Sequence, residues 1–262
     1  MKPSRALLLV LQVLVAVVGL AVWHIGSTGT LGVPIFLPEF FFSQPLKVFS
    51  RVVDLFVTGK IWVHLGITLL EGILAFVIGS GLGILFGFTF ARRPLLSAVF
   101  DPYIKMMNAL PRVILAPIFM LWFGLGIWSK VVLGVTLVFF IVFFNVYQGV
   151  KEVNPVILAN ARMLGMTDRQ LLRHVYWPSA MSWMFSSLHT SVGFAIIGAV
   201  VGEYLGASAG LGYLIHQYEG VFDITGVLAG MVILMAFVLV IDWVVTKVEN
   251  RLLDWRPESS AG

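Results

Sequence analysis

The feature that most constrains this chain is the length of its charge-free stretches. Glu71 and Arg92 are separated by 20 residues without a formal charge, Lys130 and Lys151 by another 20, and Arg173 and Glu203 by 29. A helix of about 20 apolar residues, rising ~1.5 Å per residue, crosses a hydrocarbon core of ~30 Å. Charged residues are 11% of the chain and hydrophobic ones 59%, whereas a soluble domain is about a quarter charged. Bilayer rather than water is therefore the solvent for most of these residues. The pattern predicts an all-α, polytopic membrane protein with about six transmembrane helices, near 6–25, 64–91, 107–124, 130–150, 181–203 and 226–246. The third is the weakest, because Lys105 and Arg112 lie near or inside it and Pro111 and Pro117 interrupt it.

The opening "MKPSR" and its Leu/Val run also fit a secretory signal, but bulky Trp23 and His24 stand where a small-x-small cleavage site belongs, which favours a retained anchor. Cations in short loops mark the cytoplasmic side. Lys2 and Arg5 place the N-terminus inside. Six spans then bring Arg92-Arg93, the basic stretch 151–178 and the Lys247, Arg251, Arg256 tail inside too. Lys47, Arg51 and Lys60 fall outside, in a segment longer than a tight turn with apolar pieces of its own. The organisation expected is a first transmembrane helix over 1–25, an external segment over 26–63, a transmembrane domain over 64–256 with a cytoplasmic loop at 151–178, and a cytoplasmic tail over 257–262.

Much chemistry is absent. No cysteine is present, which removes disulfides, thiolate metal sites and thiol catalysis. The Gly59-Lys60 pair has Asp54 where a phosphate-binding loop needs glycine, and Ile61 where it needs Ser or Thr. His24, His64, His174, His189 and His216 form no metal-ligand spacing, so neither metal nor cofactor is expected. Ser186, Ser187 and Ser191 lie close to His189 inside a charge-free run, where hydroxyls ordinarily bond to backbone carbonyls. The net charge of +4 comes from cations in loops, which points to membrane orientation and not to nucleic acid. The reading is a non-catalytic membrane chain that cannot use ATP alone.

The least hydrophobic interior stretch is Asn154–Pro178, "NPVILANARMLGMTDRQLLRHVYWP". Asn154 followed by Pro155 is a helix start, an Asn cap and then proline where its missing N–H costs nothing. Gly165 ends that helix in the left-handed conformation. Thr167-x-x-Gln170 is a capping box for a second short helix, with Asp168 near its start and Arg173 near its end suiting the dipole. Pro178 closes the element and permits the next span. An interfacial amphipathic loop that meets only headgroups is the plainer reading of the same residues.

The run "ANARMLGMTDRQLLRHVYWPSA" resembles the cytoplasmic loop of inner-membrane permeases of binding-protein-dependent ABC importers. That loop reads E-A-A, three residues, Gly, nine residues, then I-x-L-P. The E-A-A places fall on Ala159, Asn160 and Ala161, the glycine on Gly165, and I-x-L-P on Val175, Tyr176, Trp177 and Pro178. Ala159 replaces the glutamate and Asn160 the first alanine, so whatever that carboxylate contacts must be supplied otherwise. "LPRVILAPIFMLWFGLG" (Leu110–Gly126) and "VVGEYLGASAGLGYLI" (Val200–Ile215) look like the nitrate/sulfonate/taurine branch, and the likeness runs from about Leu65 to Arg256. The resemblance implies a bacterial inner-membrane location, a second permease copy, a cytoplasmic ATP-binding subunit docked on a coupling-helix pair, and an extracytoplasmic solute-binding protein. Ala159, Asn160, Ala161, Arg162, Gly165, Thr167, Asp168, Arg169 and Pro178 would form the coupling loop. It implies a small oxyanion or organosulfonate such as nitrate, taurine or an alkanesulfonate as cargo, with a thiamine-precursor pyrimidine or other small organic solute as the alternative. An ion-coupled secondary transporter is the reading of another class; the inverted repeats and buried charge pairs it needs are not evident in the sequence.

Ionisable residues in a span are functional candidates by default. Glu71, Arg112 and Glu203 are named here as pathway or structural groups. Glu71 is the deepest, with a bond to Thr68 or another helix competing with a pathway role. Arg112 is placed as an anchor at the mouth of its span, and Glu203 and Asp242 near solvated span ends. Gly79, Gly83 and Gly87, spaced by four, make a small-residue face for a helix of this chain or of a second copy.

Overall fold

The computed structural model describes residues 4–30 and 34–252. Lys2, Arg256 and the 257–262 tail, which the orientation and tail expectations used, lie outside them. Among the described residues the chain is helical and irregular, without a strand.

The charge-free runs become the long helices: α1 (Arg5–Thr28), then, after the short α2 (Glu39–Phe42) and α3 (Pro45–Val57), α4 (Ile61–Arg92). After α5 (Pro94–Ala109) come a 3-10 turn (Arg112–Leu115), α6 (Ala116–Phe123) and α7 (Ile127–Lys151). The short α8 (Pro155–Met163) and α9 (Asp168–Leu171) run through a π turn (Leu172–Tyr176) into α10 (Trp177–Leu205), and α11 (Leu211–Gly220) and α12 (Ile224–Leu252) complete the order. Five helices are long and apolar enough to cross a bilayer, and α5 with α6 makes a sixth candidate only as a pair bent by 89°. The expected third span at 107–124 is thus a break. Pro111 has no N–H to continue α5, and the residue before it, Leu110, is held extended.

Two compact units are built from these helices. One takes residues up to Trp62 with Leu214–Met235. In it the Trp23 indole donates to the Phe42 carbonyl at 3.1 Å, Arg51 pairs with Asp223 at 3.0 Å, and the Ser43 and Thr225 hydroxyls meet at 2.7 Å. Most of α1 presents exposed Leu and Val side chains. On α3, Val48 and Leu55 are buried while Leu46, Phe49, Val53 and Val57 form an exposed apolar stripe. The external segment expected over 26–63 therefore contains helices suited to a lipid interface.

The other unit takes Val63–Tyr213 with the chain from Ala236 onward. Its core is α4, α7 and α10 in close approach, with Ala75, Val138, Val142, Val146, Met184 and Ala195 buried together. The partner of the glycine face is α7. A Cβ on Gly79, Gly83 or Gly87 would come within 2.7–2.9 Å of Val138, Val142 or Val146. One turn before Val138 on α7, a Cβ on Gly198 would lie 2.5 Å from the Gly134 Cα, so α10 also meets α7 backbone to backbone. Where lipid tails are as apolar as any side chain, such dispersion contact is what holds helices together.

Candidate functional site

The Asn154–Pro178 stretch folds as two short capped helices. Asn154 Oδ1 accepts from the Val156 N–H at 2.9 Å, and Pro155 fills the first helical position. At the far end Gly165 has φ +79°, and the Met166 N–H donates to Ala161 and the Gly165 N–H to Arg162. These two bonds are the Schellman arrangement, which satisfies carbonyls the ending helix leaves open. The capping box on α9 is complete: the Thr167 N–H donates to Gln170 Oε1 at 2.8 Å and the Gln170 N–H to Thr167 Oγ1 at 3.4 Å. Ala161 and Leu171 are buried; Ala159, Asn160, Arg162, Thr167, Asp168, Arg169 and Arg173 are exposed along the same element.

Pro178 does not close this element as the sequence suggested. Helical backbone continues from α9 to α10, and the π turn just before Pro178 absorbs the fault. A proline ring at position i collides with the carbonyl of i−4 and offers it no hydrogen. Widening the turn, with the Trp177 N–H reaching back to the Leu172 carbonyl, re-registers the helix ahead of the ring.

A second cluster lies among the membrane helices. Glu203, expected near a solvated span end, is 0% exposed. Its Oε1 accepts from Thr68 Oγ1 at 2.7 Å and its Oε2 from the Gly212 N–H at 2.8 Å. Thr68 Oγ1 accepts from the Leu211 N–H at 2.9 Å, and His64 Nδ1 accepts from the Gly210 N–H at 3.1 Å. Three side chains from α4 and α10 thus receive three consecutive N–H groups at the start of α11, donors that no carbonyl of that helix can take. The close fit requires glycine: Gly210 has φ +119°, and a Cβ there would overlap the Glu203 carboxyl. The expected bond from Thr68 goes to Glu203 rather than to Glu71.

Glu71 is 2% exposed and its Oε2 has no hydrogen-bond partner. Lys130 is 1% exposed; its ammonium acts electrostatically on both Glu71 and Glu203, while its hydrogen bonds go to the Leu125 and Gly126 carbonyls at the turn before α7. Lys130 was missed in the sequence because it marked the edge of a charge-free run, so it read as a boundary. Arg112 is a tie across the α5–α6 break. Its guanidinium donates to the Met107 and Leu110 carbonyls at 2.6 and 2.7 Å and to Asn108 Oδ1 at 2.9 Å, with the Phe140 ring 4.5 Å below it. Asp242 is exposed and lies 3.4 Å from His189. Among the described residues no group of His, Asp and Glu is arranged to hold a metal ion.

These features define a polytopic helical membrane protein with a capped helix pair set between two of its long helices. Residues 79–254 match the family described as binding-protein-dependent transport system inner membrane component. The chain is 34% identical over 237 residues to the formylaminopyrimidine transport permease protein ThiX of Halalkalibacterium halodurans, covering 90% of this chain and 92% of that one. It is 29% identical over 238 residues to the putative aliphatic sulfonates transport permease protein SsuC of Bacillus subtilis, covering 90% of this chain and 84% of that one. To the taurine transport system permease protein TauC of Escherichia coli it is 28% identical over 245 residues, covering 91% and 87%. A solved structure of the MetNI methionine ABC transporter in an inward-facing conformation shares the fold, with a TM-score of 0.57 over 73% of this chain and 93% of that chain at 21% identity. The chain belongs to the inner-membrane permeases of binding-protein-dependent ABC transport systems.

Proposed function

We propose that this chain is the pathway-forming subunit of an ATP-driven importer, working as two copies with a separate ATPase docked on α8 and α9 and an extracytoplasmic binding protein delivering solute. The observation that carries the reading is the capped α8–α9 pair, whose second helix is continuous with the long α10. A force on α9 reaches the membrane-embedded part of α10 with only the π turn between, which suits a rigid-body change of access. With Ala159 in place of a glutamate, docking rests on the shape of the pair and on Arg162, Arg169 and Arg173. Glu203 and Arg112 serve as structural ties at a helix start and a helix break, and Glu71 belongs with Glu203 in that structural cluster rather than in the pathway.

The cargo is a small oxyanion or organosulfonate, in keeping with the SsuC and TauC relatives. The ThiX relative favours a formylated pyrimidine as the second reading. The deciding measurement is uptake into proteoliposomes with taurine, an alkanesulfonate, nitrate and formylaminopyrimidine, with and without the ATPase and binding protein. Uptake is expected only with both added and ATP present; uptake by the permease alone under an ion gradient defeats the importer reading.

Both termini and the α8–α9 pair are placed in the cytoplasm, which requires the bent α5–α6 pair to cross the membrane once. The natural absence of cysteine makes this directly testable. A cysteine at Arg169 should react with an impermeant maleimide only in inside-out vesicles, and one at Thr58 only in right-side-out cells.

A further inference from the structure

A cavity of about 650 Å³ opens between the last turns of α4 and the α8–α9 pair, away from the Glu71–Glu203–Lys130 cluster. Arg92, Arg93 and Arg162 line it, with Asp168 the single carboxylate among its lining residues. Among the described residues none of the three guanidiniums makes an ion pair or a hydrogen bond; the Arg92 guanidinium only lies over the Tyr176 ring, 5.7 Å from its centroid. Apart from Thr89 and Tyr176, the remaining wall is apolar. Trp177 stacks on Phe88 with centroids 5.3 Å apart and planes 15° from parallel, and Leu85 continues it along α4.

Three arginines at one cavity against one carboxylate leave an excess of two positive charges. Arginine forks match pairs of oxygens on a tetrahedral anion, which a lone ammonium does not do. Ordinary membrane orientation requires basic residues near span ends, but it does not require them to converge on a shared cavity, nor to stand beside a stacked aromatic wall. A phosphate with an organic tail meets both halves of the cavity at once. Basic pockets beside membrane helices are where acidic headgroups bind.

We propose that this cavity binds a phosphate ester, its phosphate held by Arg92, Arg93 and Arg162 and its organic part against Phe88 and Trp177. Two sources share that chemistry: the headgroup of an acidic phospholipid and a soluble phosphate ester. Native mass spectrometry of the purified full chain tests it, after exchange into phosphatidylglycerol or phosphatidylcholine, and in a separate arm with glycerol 3-phosphate and no acidic lipid. Each arginine removed should weaken retention about fivefold, and the R92A/R93A/R162A variant roughly a hundredfold. Lys105→Ala, at a residue already paired with Asp101, should leave retention unchanged. Should the triple variant not fold, Asp168→Asn carries the test from the other side: removing the one carboxylate should tighten binding several-fold. Selective retention of phosphatidylglycerol assigns the lipid source, and saturable binding of glycerol 3-phosphate without lipid preference assigns the soluble one. Equal retention of both lipids without glycerol 3-phosphate binding, or indifference to the Arg92, Arg93, Arg162 and Asp168 substitutions, overturns the proposal.

Discussion

The α8–α9 pair and the Glu203 cluster solve the same problem, unpaired N–H groups at a helix start, in opposite ways. On α8 and α9 the caps are local: Asn154 and Thr167 serve backbone groups two or three residues away, at an exposed surface. On α11 the caps come from afar. Thr68 and His64 reach it across more than 140 residues of sequence, and Glu203 across nine, in a buried site. Water can replace a lost cap on the exposed pair and cannot replace one in the interior. Equal bonds are therefore expected to have unequal consequences.

The largest expected effect is at Gly210. A valine there meets both a forbidden φ and the Glu203 carboxyl, and it should cost upwards of about 4 kcal/mol, visible as loss of the folded peak in detergent size-exclusion chromatography. Next comes Glu203→Leu, which strands the Gly212 N–H, while the Thr68 hydroxyl keeps its bond to the His64 carbonyl; at about 1–3 kcal/mol for a stranded buried group, it should clearly lower the detergent melting temperature. A Glu203→Leu chain that melts like the parent would erase the contrast between the regions.

Gly165→Val should cost about 1–2 kcal/mol for holding a β-branched residue at positive φ, since no neighbouring atom would be struck. Its main effect should be on coupling: ATP hydrolysis continues in the assembled transporter while solute uptake falls by about tenfold or more, a loss of at least ~1.4 kcal/mol in the coupled step. Normal uptake would remove the bend from the coupling mechanism. Asn154→Ala should cost about 1 kcal/mol, read from melting curves. The smallest effect is expected at Glu71; Glu71→Gln keeps the volume and the side chain's ability to hydrogen-bond with Glu203, and should change stability by under about 1 kcal/mol. A large loss there would make Glu71 an equal member of the cluster.

The same distinction explains what could be read before the fold was known. Local rules placed α8, its glycine end and the capping box correctly, because every bond there joins residues within about five positions. The long helices followed from charge-free length. Glu203 was misplaced because its partners lie on α4 and at the start of α11, and no local pattern connects them. The bend at Pro111 was visible only as a weak span, since sequence marks a proline but not the 89° turn that Arg112 ties down. Pro178 read as a stop because proline ordinarily ends a helix; the alternative of a widened turn depends on helical backbone being supported on both sides.

That widened turn sets a phase. With 3.6 residues per turn, one residue more or less between α9 and α10 rotates everything beyond it by about 100°. Deleting a single residue within Leu172–Tyr176 would leave both helices intact in composition, yet would swing Arg169 and its neighbours to another side of the helix axis relative to Ser191 and Glu203. The turn thus fixes the angle between α9 and α10, which in the proposed importer is the angle at which a push from the cytoplasmic side enters the membrane. Insertion and deletion at this one site should alter transport far more than substitutions that preserve the count.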